Sequence, residues 1–122
     1  MKEHSFLPIS NKLIAKCHEL NEKNVPNVGS RTLDGLSNSI ENSDYNESIV
    51  FGNTVIGFVV CFQDNDQTKS YMSEIKHKNF KEISNRVNNF LYFDRIVVDD
   101  QFRNIKLGTK LYENILVFAK QN

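Results

Sequence analysis

The chain has 122 residues, of which 39% are hydrophobic and 25% charged, and this composition favours one folded domain over disorder. Its 15 basic and 15 acidic residues cancel, so the charge gives no reason to expect nucleic acid or an acidic membrane as a partner. The N-terminus lacks the apolar core of a signal peptide, and no apolar run approaches the roughly 18 residues of a membrane span. We therefore expect one soluble, cytoplasmic domain.

A first helix is predicted by apolar residues that recur at helical spacing after Ser10 or Asn11, either of which can cap it. The helix should end near residues 21–24, because Pro26 disfavours a helical conformation at the residue before it. Residues 24–30 are then expected to form a loop.

A second helix is predicted to start after Thr32, which is the expected cap. Leu33, Leu36 and Ile40 would share its apolar face. The polar residues 41–48 break the pattern, so the helix should end there.

A β-hairpin is predicted over residues 49–62, because two runs of β-branched and aromatic residues flank Gly52 and Asn53. Gly57 interrupts the second run, and a glycine inside a strand indicates a bulge or a close approach of another backbone. Cys61 in this run and Cys17 in the first helix have apolar neighbours, so we expect buried free thiols and no metal site.

The second half of the chain predicts one strong strand and one strong helix. Residues 63–79 are polar and indicate an excursion outside the core, with a short helix expected within 73–89. Residues 90–98 are apolar on both alternating faces, which predicts a central strand. A helix follows from residue 104 to about 120, with an apolar stripe formed by Leu107, Leu111, Ile115 and Phe118. The order of elements predicts an α/β fold in which helices cover a sheet.

The turn at residues 99–109, between this strand and this helix, has the clearest potential for chemistry. A helix N-terminus exposes unpaired N–H groups with a partial positive charge, and it therefore attracts phosphate. Arg103 and Lys106 can add charge-assisted hydrogen bonds, and Gly108 lets a ligand or the neighbouring strand approach the backbone. A solvated basic cap with no ligand is the alternative interpretation.

A resemblance to the acetyl-CoA-binding segment of the GNAT acetyltransferases is carried by the sequence IVVDDQFRNIKLGTKLY. Residues 96–98 match the end of that family's central strand, Arg103 its arginine or glutamine position, and Gly108 its last glycine. Lys106 stands where the middle glycine is usual, and Asn104 where a first glycine is frequent. Upstream, LNEKNVPNVG, VIGFVV and FLYFDRIVV resemble, in the same order, one bacterial branch of this family.

This resemblance implies a GNAT fold with acetyl-CoA as the cosubstrate. Backbone groups of the strand would hold the acetyl carbonyl and the pantetheine arm, and backbone amides of the turn would surround the pyrophosphate. The implied contact residues are Ile96, Val97, Val98, Arg103, Asn104, Ile105, Lys106, Leu107, Gly108 and Thr109. At Lys106 the Cβ narrows the turn, while the positive charge can compensate in part.

The reaction that the resemblance implies is attack of a neutral amine on the acetyl thioester, with a base or a water chain removing the amine proton. Asp94 is the candidate base, since in a regular strand its side chain shares a face with Ile96, about 6–7 Å away. The alternative is that Asp94 only pairs with a neighbouring cation. Arg95 is expected to point to the face opposite Asp94. Contacts to the acceptor are expected from the loops at residues 24–31 and 63–88, since loops on a fixed scaffold carry specificity.

GNAT domains normally continue past this helix with a fifth strand, a further helix and a closing hairpin, so residues 1–122 are expected to form a single, C-terminally incomplete domain. The strand at 90–98 would have an unpaired apolar edge, to be covered by another chain or a second copy. Two functions stay open: an acetyl-CoA-dependent N-acetyltransferase, or a non-catalytic module that binds CoA or another protein. The amine acceptor can be a small metabolite, an antibiotic, a peptide or a protein N-terminus.

Overall fold

Four antiparallel strands form the sheet at the centre of the fold, and they are arranged in the order in which they occur along the chain. They are β1 (His4–Leu7), β2 (Tyr45–Phe51), β3 (Thr54–Gln63) and β4 (Leu91–Val98). The computed structural model describes residues 4–121, apart from the side chains of Asn104 and Ile105. The turn between β2 and β3 lies at Gly52 and Asn53, as the sequence predicts.

Helices cover both faces of this sheet. They are α1 (Asn11–Lys23), α2 (Leu33–Asn42), α3 (Asp66–Glu74), α4 (Lys78–Ser84), a 3-10 helix (Asp100–Ile105) and α5 (Leu107–Gln121). Residues of α1 to α4 form one hydrophobic cluster with β3 and β4, and α5 forms a second cluster on the opposite face. The α/β fold is therefore confirmed. No helix within residues 4–121 has the length and apolar composition needed to cross a membrane.

The two N-terminal helices begin where the sequence predicts. Ser10 occupies the cap position before α1, but its side chain makes no capping hydrogen bond, so that predicted cap is not formed. The Thr32 hydroxyl does cap α2, by accepting a backbone N–H of the first turn at 3.0 Å. Leu36 and Ile40 are buried, but Leu33 is 44% exposed, so its predicted place on the apolar face is wrong. Leu33 is the first residue of α2. Because helical side chains point toward the helix N-terminus, this one lies at the end of the helix rather than over the turns that pack on the sheet.

Residues 63–79 do not lie outside the core, and that expectation is wrong. Met72 of α3 is 2% exposed and belongs to the hydrophobic cluster with α1 and α2. The short helix predicted within 73–89 is α4, and its Phe80, also 2% exposed, joins the same cluster. The Asn65 side chain caps α3 by accepting the Thr68 N–H at 2.8 Å. Each of these short helices buries one large apolar side chain, and a single residue gives no periodic signal in a polar segment.

β4 is an edge strand in this sheet, because within residues 4–121 it pairs with β3 alone. The predicted central position is therefore wrong. Its two faces are apolar because α1 to α4 cover one and α5 covers the other, and burial of both faces does not require neighbours on both edges. α5 starts at Leu107 rather than at residue 104, since a 3-10 helix precedes it.

Gly57 of β3 lies where two contacts leave no room for a side chain. The pairing of β2 with β3 shifts register next to Ile49 and Gly57, which confirms the predicted bulge. A Cβ at Gly57 would lie 2.9 Å from Cδ1 of Ile49 and 3.1 Å from the carbonyl oxygen of Val97. The predicted close backbone approach is therefore also present.

We expect Gly57→Ala to lower the free energy of unfolding by about 1–3 kcal/mol, because the Val97 carbonyl belongs to the sheet backbone and cannot move aside alone. Urea denaturation followed by circular dichroism measures the change. Gly29→Ala is the matched control: nothing lies within 4 Å of its Cβ position, and its effect should stay within about 0.5 kcal/mol. Equal losses in the two variants would contradict the steric explanation.

Candidate functional site

The end of β4 and the loop after α1 enclose a groove of about 330 Å³. Its lining residues are Asn24, Asn27, Val28, Ile96, Val97, Val98 and Arg103. Four of these were predicted as contact residues from the sequence, and the fold brings them together with the loop that was expected to contact the acceptor. The groove runs along the edge of β4 that has no strand partner within the described residues.

Arg103 lies across the end of β4 and is held there by three contacts. Its Nε donates a hydrogen bond to the Val98 carbonyl at 3.1 Å, and one terminal nitrogen donates to Oδ1 of Asn24 at 3.2 Å. The other terminal nitrogen forms an ion pair with Asp100 at 2.5 Å. The guanidinium therefore joins the strand edge to the loop after α1, and half of the side chain stays exposed to solvent.

The N-terminus of α5 has the properties of an anion site. Its first amides, at Leu107, Gly108 and Thr109, have no carbonyl one turn earlier within the helix, and the helix dipole adds a partial positive charge. No acidic residue occupies the first turn. The predicted contact residues Asn104 and Ile105 precede it in the 3-10 helix, and their side chains lie outside the described part of the chain.

Lys106 adopts the left-handed conformation, with φ 60° and ψ 30°, at the junction between the 3-10 helix and α5. A residue with a Cβ pays roughly 1–2 kcal/mol for this conformation, whereas glycine adopts it freely. The geometry thus gives a physical reason why a glycine suits this position. The lysine side chain is exposed, so it adds a positive charge beside the α5 N-terminus.

Gly108 has more space around it than the sequence suggests. Among the described residues outside the backbone of α5 and the two chain neighbours, a Cβ at this position would meet only Cγ2 of Val98, at 3.9 Å, which is ordinary van der Waals contact. Packing of α5 against β4 therefore does not require a glycine here. The open space beside the helix N-terminus is instead available to a ligand.

A β-bulge at Asp94 changes the directions in which the side chains of β4 point. Arg95 pairs with Val60 and Phe93 with Cys61, so Asp94 is an extra residue with no partner opposite it. Asp94 and Arg95 therefore both face the α1–α4 side, where they contact each other at 3.3 Å. The predicted alternation of these two residues is wrong, because it assumed a regular strand. Ile96 packs with the α5 cluster, on the other face from Asp94.

The Asp94 carboxylate is buried, with 2% of its side chain exposed, and it is held by three partners. Arg31 and the Nε2 atom of His77 each lie 3.2 Å from Oδ1, and Arg95 binds Oδ2. Nδ1 of His77 accepts the Phe80 N–H at 3.1 Å, so the ring proton is on Nε2 and is donated to Asp94. Burial raises the pKa of Asp94, but the His77 hydrogen bond and the two guanidinium charges outweigh it and lower the pKa.

These contacts tie the loop after α1 to the bulge. Arg95 donates to the Gly29 carbonyl at 3.0 Å and to the Asn21 side chain, and Arg31 donates to the Ser39 hydroxyl at 2.9 Å. The roles of Arg31 and His77 could not be found from the sequence. Arg31 meets its carboxylate 63 positions away, and no motif marks that pairing.

The comparison with protein families identifies one matching family. A model of the acetyltransferase (GNAT) family matches residues 15–122, which is most of the chain. No curated protein matches the sequence.

We expect Asp94→Asn to lower the free energy of unfolding by about 3–5 kcal/mol at neutral pH, because the buried guanidinium of Arg95 and the partly buried guanidinium of Arg31 would lose their anion. The folded-state pKa of Asp94 is lowered, so this stabilisation is present above the unfolded pKa of about 3.9 and is lost as the pH falls further. Urea denaturation at pH 7 and below pH 4 should therefore show a difference between wild type and variant that shrinks on acidification.

Asp34→Asn is the control for this experiment, since Asp34 is exposed in the first turn of α2 and should contribute only about 0.3–1 kcal/mol. Arg31→Gln provides a second variant if Asp94→Asn does not fold, and it should lose part of the same pH dependence. If the free energy of unfolding depended on pH in the same way in wild type and in all three variants, the assigned hydrogen-bond network around Asp94 would be contradicted.

A second prediction concerns Lys106. Lys106→Gly should be more stable than Lys106→Ala by about 1 kcal/mol, because only glycine avoids the strain of the left-handed conformation. Both variants remove the same charge, so the comparison isolates the backbone. Thermal and urea denaturation of the pair measure the difference, and a more stable alanine variant would contradict the assigned conformation.

Proposed function

The chain belongs to the GNAT acetyltransferase family, and we propose that it is an acetyl-CoA-dependent N-acetyltransferase acting on a primary amine. The observation that carries this proposal is the groove at the end of β4, which has an unpaired strand edge along one side. The N-terminus of a long helix follows the same strand after one short turn. The site thus combines a binding surface for an extended amide chain with one for phosphate.

We assign the pantetheine arm of acetyl-CoA to the edge of β4, where backbone groups at residues 96–98 can extend the hydrogen bonding of the sheet onto the ligand. The amides from Arg103 to Thr109 would hold the pyrophosphate. Two features of the site fit this assignment: the first turn of α5 contains no acidic residue, and the surroundings of Gly108 are open. Acetyl-CoA supplies the activated acetyl group when it is bound.

We propose a positioning role for Asp94 rather than the role of general base. A base must be free to accept a proton from the acceptor amine, whereas this carboxylate already accepts hydrogen bonds from three partners and has a lowered pKa. Water in the groove would then take the amine proton. The contribution of Asp94 is to hold the loop after α1 against the strand, beside the place where an acceptor would enter.

The acceptor itself is left open by the groove, whose loop side offers the Asn27 amide and the apolar Val28, while the Asn24 amide is already hydrogen-bonded to Leu20 and Arg103. A cytoplasmic location is part of the proposal, since both cysteines are free and buried, as suits a reducing compartment. Burial raises the pKa of each thiol to about 12, so neither is a nucleophile at neutral pH.

We expect isothermal titration calorimetry to show saturable binding of acetyl-CoA, and Gly108→Trp to weaken it by about tenfold or more, because the indole would fill the space beside the α5 N-terminus. Gly108→Ala is the matched control for folding. Alanine fits the available space and suits a helix better than glycine, so this variant should be at least as stable as wild type.

Two outcomes of this titration decide between the candidate functions. Absence of heat with the unmodified chain, or equal affinity in the tryptophan variant, would overturn the cofactor assignment. If acetyl-CoA binds but no free thiol is released with any amine of a panel, the result favours the alternative function, a non-catalytic CoA-binding module.

A further inference from the structure

A second groove, of about 420 Å³, lies between α3 and α4, away from the end of β4. Its floor is formed by Met72 and Phe80, which are almost completely buried. Its walls include the hydrogen-bonding side chains of Ser73, Ser84 and Asn85. His77 forms the inner wall and is the same residue that donates to Asp94 in the β4 bulge. The groove therefore has an apolar base, polar walls and a rigid connection to the sheet.

Lysines dominate the charge of this groove. Lys69, Lys76, Lys78 and Lys81 line it, and no acidic residue does. Lys69 forms an ion pair with Asp64 at 3.5 Å, but the other three ammonium groups form no ion pair within the described residues. In a chain with no net charge, these lysines are a local concentration of positive potential.

The spacing of the lysines indicates what kind of anion would fit. Lys69 lies in the first turn of α3 and Lys76 just beyond its last residue, about 10 Å apart along the helix. The flexible side chains can converge on one small anion, but the four ammonium groups are then crowded together, which costs electrostatic repulsion and side-chain entropy. A ligand with several anionic groups pairs with the lysines where they stand, and apolar groups between the anions can pack on the lysine stems.

We propose that the α3–α4 groove binds an acidic peptide segment in which carboxylate side chains alternate with apolar ones. The carboxylates pair with the lysines, and the apolar side chains pack on the aliphatic stems of the same lysines, above the buried Met72 and Phe80. The hydroxyl and amide side chains of the walls form hydrogen bonds with the peptide backbone. A nucleic acid is disfavoured, because Phe80 is buried and presents no open ring face for stacking.

Fluorescence anisotropy with a labelled short peptide of alternating glutamate and leucine tests this proposal. We expect saturable binding that weakens as the salt concentration rises. The double variant Lys76→Glu/Lys78→Glu should weaken binding by about tenfold or more, because each substitution replaces an attraction by a repulsion. Ser73→Trp, which fills the groove and keeps its charge, should also weaken binding.

The controls separate this groove from general attraction to a basic surface. Lys12→Glu changes an exposed lysine on α1 that does not line the groove, and it should leave the affinity unchanged. The same peptide with glutamine in place of glutamate should not bind. Equal affinity for the glutamine peptide or for single-stranded oligothymidylate, displacement by inorganic phosphate alone, or indifference to the lysine substitutions would each overturn the proposal. Acetyl-CoA is absent from the assay, so the result does not depend on the proposed transferase activity.

Discussion

The geometry of the candidate site depends on one buried carboxylate, that of Asp94. It accepts hydrogen bonds from Arg31 in the loop after α1, from His77 at the start of α4 and from its neighbour Arg95. Without this anion, the buried Arg95 guanidinium and the partly buried Arg31 guanidinium would keep uncompensated charges, which costs several kcal/mol. The loop after α1, the start of α4 and the edge strand are therefore joined through a single side chain.

The bulge that carries Asp94 separates the structural part of β4 from the part that faces the groove. It turns Asp94 and Arg95 together toward the α1–α4 side, where they meet the loop. Beyond the bulge the strand is regular through residues 96–98, and its outer edge has no strand partner within the described residues. One extra residue thus allows the same short strand to anchor the loop and to present an open backbone.

Local signals were sufficient to predict much of the fold, because they depend on residues a few positions apart. The Thr32 cap, the tight turn at Gly52 and the apolar stripe of α5 are examples. The bulge at Asp94 could not be predicted, because an extra residue is visible only in the register with β3. The ion pair of Arg31 with that residue was equally hidden, since it depends on how the loop folds over the sheet.

The outer edge of β4, which has no strand partner between residues 4 and 121, must meet two opposing requirements. A ligand that extends the sheet needs free backbone groups, but an apolar edge with free groups also invites another strand. Arg103 meets both requirements. Its guanidinium donates a hydrogen bond to the Val98 carbonyl, which keeps that carbonyl from pairing with another strand, and half of its side chain stays exposed to solvent, where a ligand can reach it. A bound pyrophosphate would offer the guanidinium a stronger, charged acceptor than that carbonyl. Release of the carbonyl would then coincide with arrival of the ligand that needs the strand edge.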